Sequence, residues 1–230
     1  MSIWTMITTM SQGLGRTCAI FFLTLLFALP LGLGISLLRM SGRRVVTGIT
    51  KAYIAILRGT PLMLQLLVVT YGPYYISKYL HDIFEPLGVT LPVFNVSREK
   101  LIPVVIAFSL NYAAYFAEIY RGGIESMNRG QYEAAEVLGY SRFQCFMRII
   151  LPQVVKRILP SMTNEVVTLV KDTSLAFTVA YMEMFTIGKQ IANSQISFMP
   201  FVIAGVFYFV FNAVVGWVMG RFEKRLSYYR

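Results

Sequence analysis

The chain has 230 residues, 56% of them hydrophobic and 14% charged, where a soluble domain carries about 25% charged residues. With a mean hydropathy of +0.61, that deficit excludes an ordinary soluble domain and points into a bilayer. The formal net charge of +10 sits on the flanks of apolar runs and not along one stripe, which suits phospholipid headgroups and speaks against nucleic acid.

The start, MSIWTMITTMSQGLGR, lacks the basic region, apolar core and small-residue cleavage site of a secretory signal, so no cleavage is expected. Residues 17–38 then form an uncharged run. At about 1.5 Å per residue its length reaches about 33 Å, enough to cross a hydrocarbon layer of about 30 Å. This is the first predicted span. Pro30 lies within it, as a structural kink or as a hinge. Arg39, Arg43, Arg44, Lys51 and Arg58 follow with no acid among them.

A second span is predicted over residues 59–77, with Thr60 and Pro61 as its cap and first turn. Gln65 is the strongly polar side chain of its early half and needs a partner there, either another helix or a passing solute. Residues 78–100 read as a polar linker punctuated by Pro86, Gly88 and Pro92. The third span is predicted over 101–117, where Ala113, Ala114 and Ala117 offer a face for close helix packing and Asn111, Tyr112 and Tyr115 are the polar members.

Between Tyr120 and Pro152 the chain is polar but regularly patterned. The pattern predicts a helix over 131–138 that stops at Gly139, because a residue without a Cβ tolerates the left-handed conformation that ends helices. Ser141 and Gln144 have the spacing of a capping box, which predicts a second helix running to a break at Pro152. Two helices meeting at one glycine make a stiff knob, fit to receive force from a soluble partner.

A fourth span is placed over 159–180, broken or re-entrant in its far part, with its polar groups turned inward because lipid would not tolerate them. Residues 190–220 carry no charge, and the fifth span is predicted over 198–220. Tyr228 and Tyr229 suit the headgroup region. Segments 39–58, 118–157 and 221–230 hold 15 of the 21 Lys and Arg. Five spans with that side in the cytoplasm put the N-terminus outside and the C-terminus inside, with the knob in the cytoplasm. The expectation is therefore an all-α integral membrane protein, one domain over 1–230, with five transmembrane helices and a cytoplasmic coupling region at 131–152 between the third and fourth.

Three classes fit that outline: a transporter subunit, an intramembrane enzyme and an assembly protein. The chain has one histidine, His81, and two cysteines, Cys18 and Cys145, far apart in sequence. No metal-ligand spacing, disulfide framework or nucleophile with a nearby base is visible. No phosphate-binding loop of the GxxxxGK[ST] kind exists either, so the chain is not expected to hydrolyse ATP by itself, and no catalytic, metal or cofactor site is assigned. Asn164, Glu165, Thr168, Lys171, Asp172, Thr173 and Ser174 are the candidates for a polar route across the membrane, joined by Gln65 and Tyr112. A route through the bilayer needs opposite charges or dipoles to replace the water around a charged solute. For Glu165, and for Lys171 with Asp172, a structural ion pair is the competing reading.

Glu133-Ala134-Ala135, three residues, Gly139, nine residues and then Ile149-Ile150-Leu151-Pro152 resembles the EAA signature of permease subunits of bacterial ABC importers. ILRGTPLMLQL at 56–66, AEIYRGGIESMNRGQYEAA at 117–135 and NEVVTLVKDTSLA at 164–176 are similar to the polar amino-acid uptake branch, the histidine and glutamine permease type. The resemblance covers residues 14–225. It implies a transport role in which 131–151 docks into a cleft of a cytoplasmic ATPase, with Gly130, Gln131, Glu133, Ala134, Ala135 and Gly139 as the coupling residues. Family members commonly carry proline where this chain has Asn128, which alters the entry to the helix.

The implied partners are two ATP-binding cassette subunits, a second permease subunit of the same or a similar chain, an extracellular or periplasmic amino-acid-binding protein, and phospholipid. ATP and Mg would lie in the ATPase. A permease of this architecture for an opine or a sulfur-containing amino acid is the alternative, and a membrane assembly subunit a more distant one.

Overall fold

A computed structural model of the chain describes residues 1–96 and 99–226. Arg98, Tyr228, Tyr229 and Arg230, which entered the charge count or the headgroup assignment, lie outside the described residues. Among the described residues every regular element is helical.

α1, Ile3–Arg39, is longer than its predicted span because nothing stops it towards the N-terminus until Ser2, whose side chain caps the Thr5 N–H. Its buried positions include Gly13, Thr17, Thr24, Ala28 and Gly32, a seam of small residues at helical spacing. α4, Leu101–Glu125, packs along α1 and meets the seam at Gly32, whereas Gly13 and Thr17 meet Met184 and Glu183 at the start of the eighth helix. A Cβ added at Gly32 would stand 2.9 Å from the Phe116 Cβ and 3.0 Å from the Ala113 carbonyl oxygen. The predicted small-residue face of α4, Ala113, Ala114 and Ala117, is fully buried.

The basic segment after α1 is itself a helix, α2, Arg44–Gly59, followed by α3, Leu62–Phe84, and a short 3-10 turn, Glu85–Leu87. α2 and the Leu62–Leu87 segment are bent by 110° at Thr60-Pro61. Pro61 has no N–H to continue α2 and pushes Thr60 into an extended conformation, φ −118° and ψ 148°. Thr60 and Pro61 thus mark a corner between two helices and not the simple start of one.

α5, Arg129–Val137, and α6, Arg142–Cys145, follow α4. A π-helical turn, Phe146–Ile150, then leads into α7, Leu151–Asp172. Here the structure corrects the expected break at Pro152. The Leu151 N–H reaches back to the Phe146 carbonyl, and the widened turn delivers Pro152 to the start of α7, where its missing N–H costs nothing. α7 gives way at its far end to a 3-10 segment, Thr173–Val179, which ends at Ala180 with φ +54°. Lys100 Nζ donates to the Val179 carbonyl at 2.7 Å and Arg16 Nη1 to that of Met182 at 3.1 Å, holding this turn. α8, Met184–Gln195, and α9, Met199–Leu226, complete the fold.

Helices thus occupy all five predicted runs. By length and composition, among the described residues, α1, α4 and α9 are each able to cross a membrane, and α2 with α3 qualifies only as a bent pair. α7, with Lys156, Arg157, Glu165, Lys171 and Asp172, is not among them. A main core runs through α1, α3, α4 and α7. A smaller one joins Met6 and Met10 of α1 to Met184 and Ile191 of α8 and Ile203 of α9. Between them sits Glu183, fully buried, which accepts from the Phe185 and Thr186 N–H groups at 2.7 Å each and from the Tyr208 hydroxyl at 3.1 Å. It caps α8, and its donors make up for the water it has lost.

Candidate functional site

Two polar regions stand out, and they adjoin along the chain. The first is the knob of α5 and α6. Asn128 Oδ1 accepts from the Gly130 N–H at 2.9 Å and starts α5. α5 ends as the glycine requires: Gly139 has φ +78°, and the Tyr140 N–H returns to the Ala135 carbonyl at 3.0 Å. Ser141 and Gln144 form both bonds of the capping box, Gln144 N–H to Ser141 Oγ and Ser141 N–H to Gln144 Oε1. The elbow is therefore rigid on both sides.

Within the knob Ala135 is buried and Gln131 is half-buried, whereas Gly130, Glu133, Ala134 and Gly139 are exposed. Glu133 makes no hydrogen bond or ion pair among the described residues. Beside it, at the tip, Val137 is 88% exposed and Leu138 and Phe143 are 73% exposed each. That apolar tip was missed in the sequence, where the composition of 120–152 reads as polar. Its signal was the i, i+1 and i+6 placement of large apolar residues around the glycine. Water-exposed aliphatic and aromatic side chains on a capped, stiff support are the form of a docking surface.

The second region is one side of α7. Arg157, Ser161, Asn164, Thr168 and Lys171 recur at intervals of three and four residues and are all exposed. Glu165 is half-buried one turn beyond Ser161, and with Arg157 and Ser161 it lines a cavity of about 400 Å³ whose other polar residues are Arg58, Tyr115, Glu118 and Ser126. The Arg58 guanidinium lies 5.0 Å from the centre of the Tyr115 ring. Glu118 is fixed by Arg39 at 3.2 Å and by Arg121 at 2.7 Å, and Arg121 also pairs with Glu125. Two cations and two acids thus border one space, an arrangement able to hold a small solute carrying both charges.

The remaining candidates are distributed elsewhere. Tyr112 is buried and donates to Asp172 Oδ2 at 2.7 Å, joining α4 to the end of α7. Thr173 is buried and donates to the Val170 carbonyl, and Ser174 donates to that of Lys171. Gln65 Nε2 donates to the Leu57 and Thr60 carbonyls and to Thr60 Oγ1, while its Oε1 accepts from Asn111. Carbonyls at the end of α2 have lost their helical partners at the corner, and Gln65 and Asn111 replace them. The structure brings Asn164, Thr168 and Lys171 onto one face and Glu165 beside Arg58, Arg157 and Ser161. The last three were not singled out in the sequence, although Arg157 and Ser161 share the helical register of Glu165 and Asn164.

A family model described as "Binding-protein-dependent transport system inner membrane component" matches residues 28–228. The nopaline transport system permease protein of Agrobacterium fabrum is 34% identical over 200 residues, 86% of this chain and 80% of that protein. An L-cystine transport system permease protein of Bacillus subtilis is 33% identical over 225 residues, 96% of this chain and 88% of that protein. Among solved structures, one described as an amino acid ABC transporter with histidines superposes with a TM-score of 0.79 at 28% identity, covering 98% of this chain and 99% of that one.

Proposed function

The chain belongs to the binding-protein-dependent transport system inner membrane components, and on that premise we propose how it carries out its task. It is a permease of an amino-acid ABC importer. In our reading it is one transmembrane domain over 1–230 with five spans, N-terminus outside and C-terminus in the cytoplasm. The 131–152 region is its coupling segment on the cytoplasmic side. It works with two ATPase subunits that bind ATP and Mg, a second permease subunit, an extracellular binding protein and the surrounding phospholipid, and it hydrolyses nothing itself.

The observation that carries this reading is the capped elbow at Gly139, with an exposed Glu133 and an apolar tip at Val137, Leu138 and Phe143. A cleft in an ATPase would cover that tip, and Gly130, Gln131, Glu133, Ala134 and Ala135 would form the docked helix. Closure of the ATPases on ATP displaces the knob, and stiff helices pass the displacement to the spans, exposing the solute route alternately to either side.

The solute we assign is a polar amino acid. The cavity beside Glu165, Arg58, Arg157 and Glu118 holds both signs of charge at a size fit for one small molecule. Asn164, Thr168 and Lys171 continue the route, with Asp172, Thr173, Ser174, Tyr112 and Gln65 supporting it from behind. Relatives named for nopaline and L-cystine favour a second reading, the same machine importing an opine or a sulfur-containing amino acid.

The test is Glu133→Lys in the complete complex reconstituted in vesicles. Uptake of radiolabelled amino acid is expected to fall by about tenfold or more, as for loss of a charge at a docked surface, with the subunit still inserted. Unchanged ATP-dependent uptake would remove Glu133 from the docking surface.

A further inference from the structure

Gln153, near the start of α7, ties three elements together. Its Nε2 donates to the Ile149 carbonyl in the π-turn at 2.8 Å and to Gln131 Oε1 in α5 at 3.0 Å. Its Oε1 accepts from Gln131 Nε2 at 3.0 Å, so the two amides close a reciprocal pair. The Ile149 carbonyl can only accept, which decides the end of the Gln153 amide that carries nitrogen, and the pair then decides the same for Gln131. One turn further along α7, Arg157 Nη1 donates to the Ser126 carbonyl at 2.6 Å and ties α7 to the end of α4.

The covalent path from α5 to α7 is longer than this bridge, and its compliant step is the π-turn. It runs through the glycine elbow at Gly139, the four-residue α6 and the five-residue π-turn. A π-turn interrupts the regular hydrogen-bond ladder and is a place where helices bend. A push on α5 carried by that path alone would be absorbed where the π-turn interrupts the ladder. The amide pair bypasses it.

We propose that the Gln131–Gln153 amide pair is the strut that carries displacement of α5 past the π-turn into α7, which makes Gln153 a positioning residue for coupled transport. The inference rests on the docking role given to α5 above, and it adds that the force enters the solute-lining helix at Gln153. It also explains the half-buried setting of Gln131, which shares the inward side of α5 with the buried Ala135 and lies opposite the exposed Glu133. Two hydrogen bonds in a partly buried site hold their elements together far better than either amide facing water would.

The experiment measures amino acid imported per ATP hydrolysed by the full complex with its binding protein in vesicles. Gln153→Leu and Gln131→Leu are each expected to lower that ratio about tenfold, and the double variant no further than the worse single, since both remove one link. Gln131→Glu and Gln153→Lys are expected to lower it singly, and together to recover at least half of it through a new ion pair. If a leucine variant fails to assemble, the charge pair and its two singles decide alone. An unchanged ratio for the Gln153 variants, or a charge pair no better than its singles, overturns the strut. Absence of ATP-driven uptake by the unaltered complex would instead overturn the importer reading beneath it.

Discussion

α4 and α7 pack against each other and treat their polar groups in opposite ways. α4 buries Asn111 and Tyr112 and bonds both within the chain, to the α2–α3 corner and to Asp172. α7 leaves Ser161, Asn164, Thr168 and Lys171 open along one side. In a membrane-type helix a polar group is tolerated when something answers it. For α4 the answer lies inside the chain, which makes α4 the frame. For the open side of α7 the answer lies outside the chain, which is where the proposed solute route runs.

The contrast breaks most severely in the frame. Gly32→Val puts a branched side chain where even a Cβ meets Phe116 and the backbone of α4, and a backbone oxygen cannot swing aside. A loss of about 2–3 kcal/mol is expected, read as a lower unfolding midpoint of the detergent-solubilised protein. Tyr112→Phe comes next. It removes the donor to Asp172 while keeping the ring, leaving a partly buried carboxyl group without that bond, at a cost of about 1–3 kcal/mol by the same measurement. The smallest stability change is expected for Asn164→Ala and Thr168→Ala, within about 0.5 kcal/mol, although uptake by the assembled complex falls. Equal stability losses in α4 and on the open side of α7 would erase the distinction drawn between the two helices.

The knob was legible in the sequence because its signals act within a few residues. Gly139 ends a helix through its own φ, and Ser141 with Gln144 starts the next through two bonds that close over three residues. Pro152 was misread by the same local rule. A proline lacks an N–H, and the rule stops a helix there unless a widened turn precedes it, which is what the Phe146–Ile150 segment supplies. The polar stretch of α7 was visible as a group, but its division was not. Glu165 turns to a cavity shared with Arg58 from α2, and Asp172 turns to Tyr112 from α4.

What the sequence by itself determined about this protein is what depends on composition and short range: apolar runs long enough to cross a bilayer, the glycine elbow, the caps, and the motif spacing that identifies its family. What only the tertiary structure decided is which polar groups face one another across distant segments. Gln65 meets Asn111, Gln131 meets Gln153, and Glu183 gathers donors from α8 and α9. The physical reason is the short reach of a hydrogen bond. A side chain in the chain's own helix is placed by the helical repeat, whereas one from another helix is placed only once glycine and alanine faces such as Gly32 on Ala113 have set how closely the helices approach.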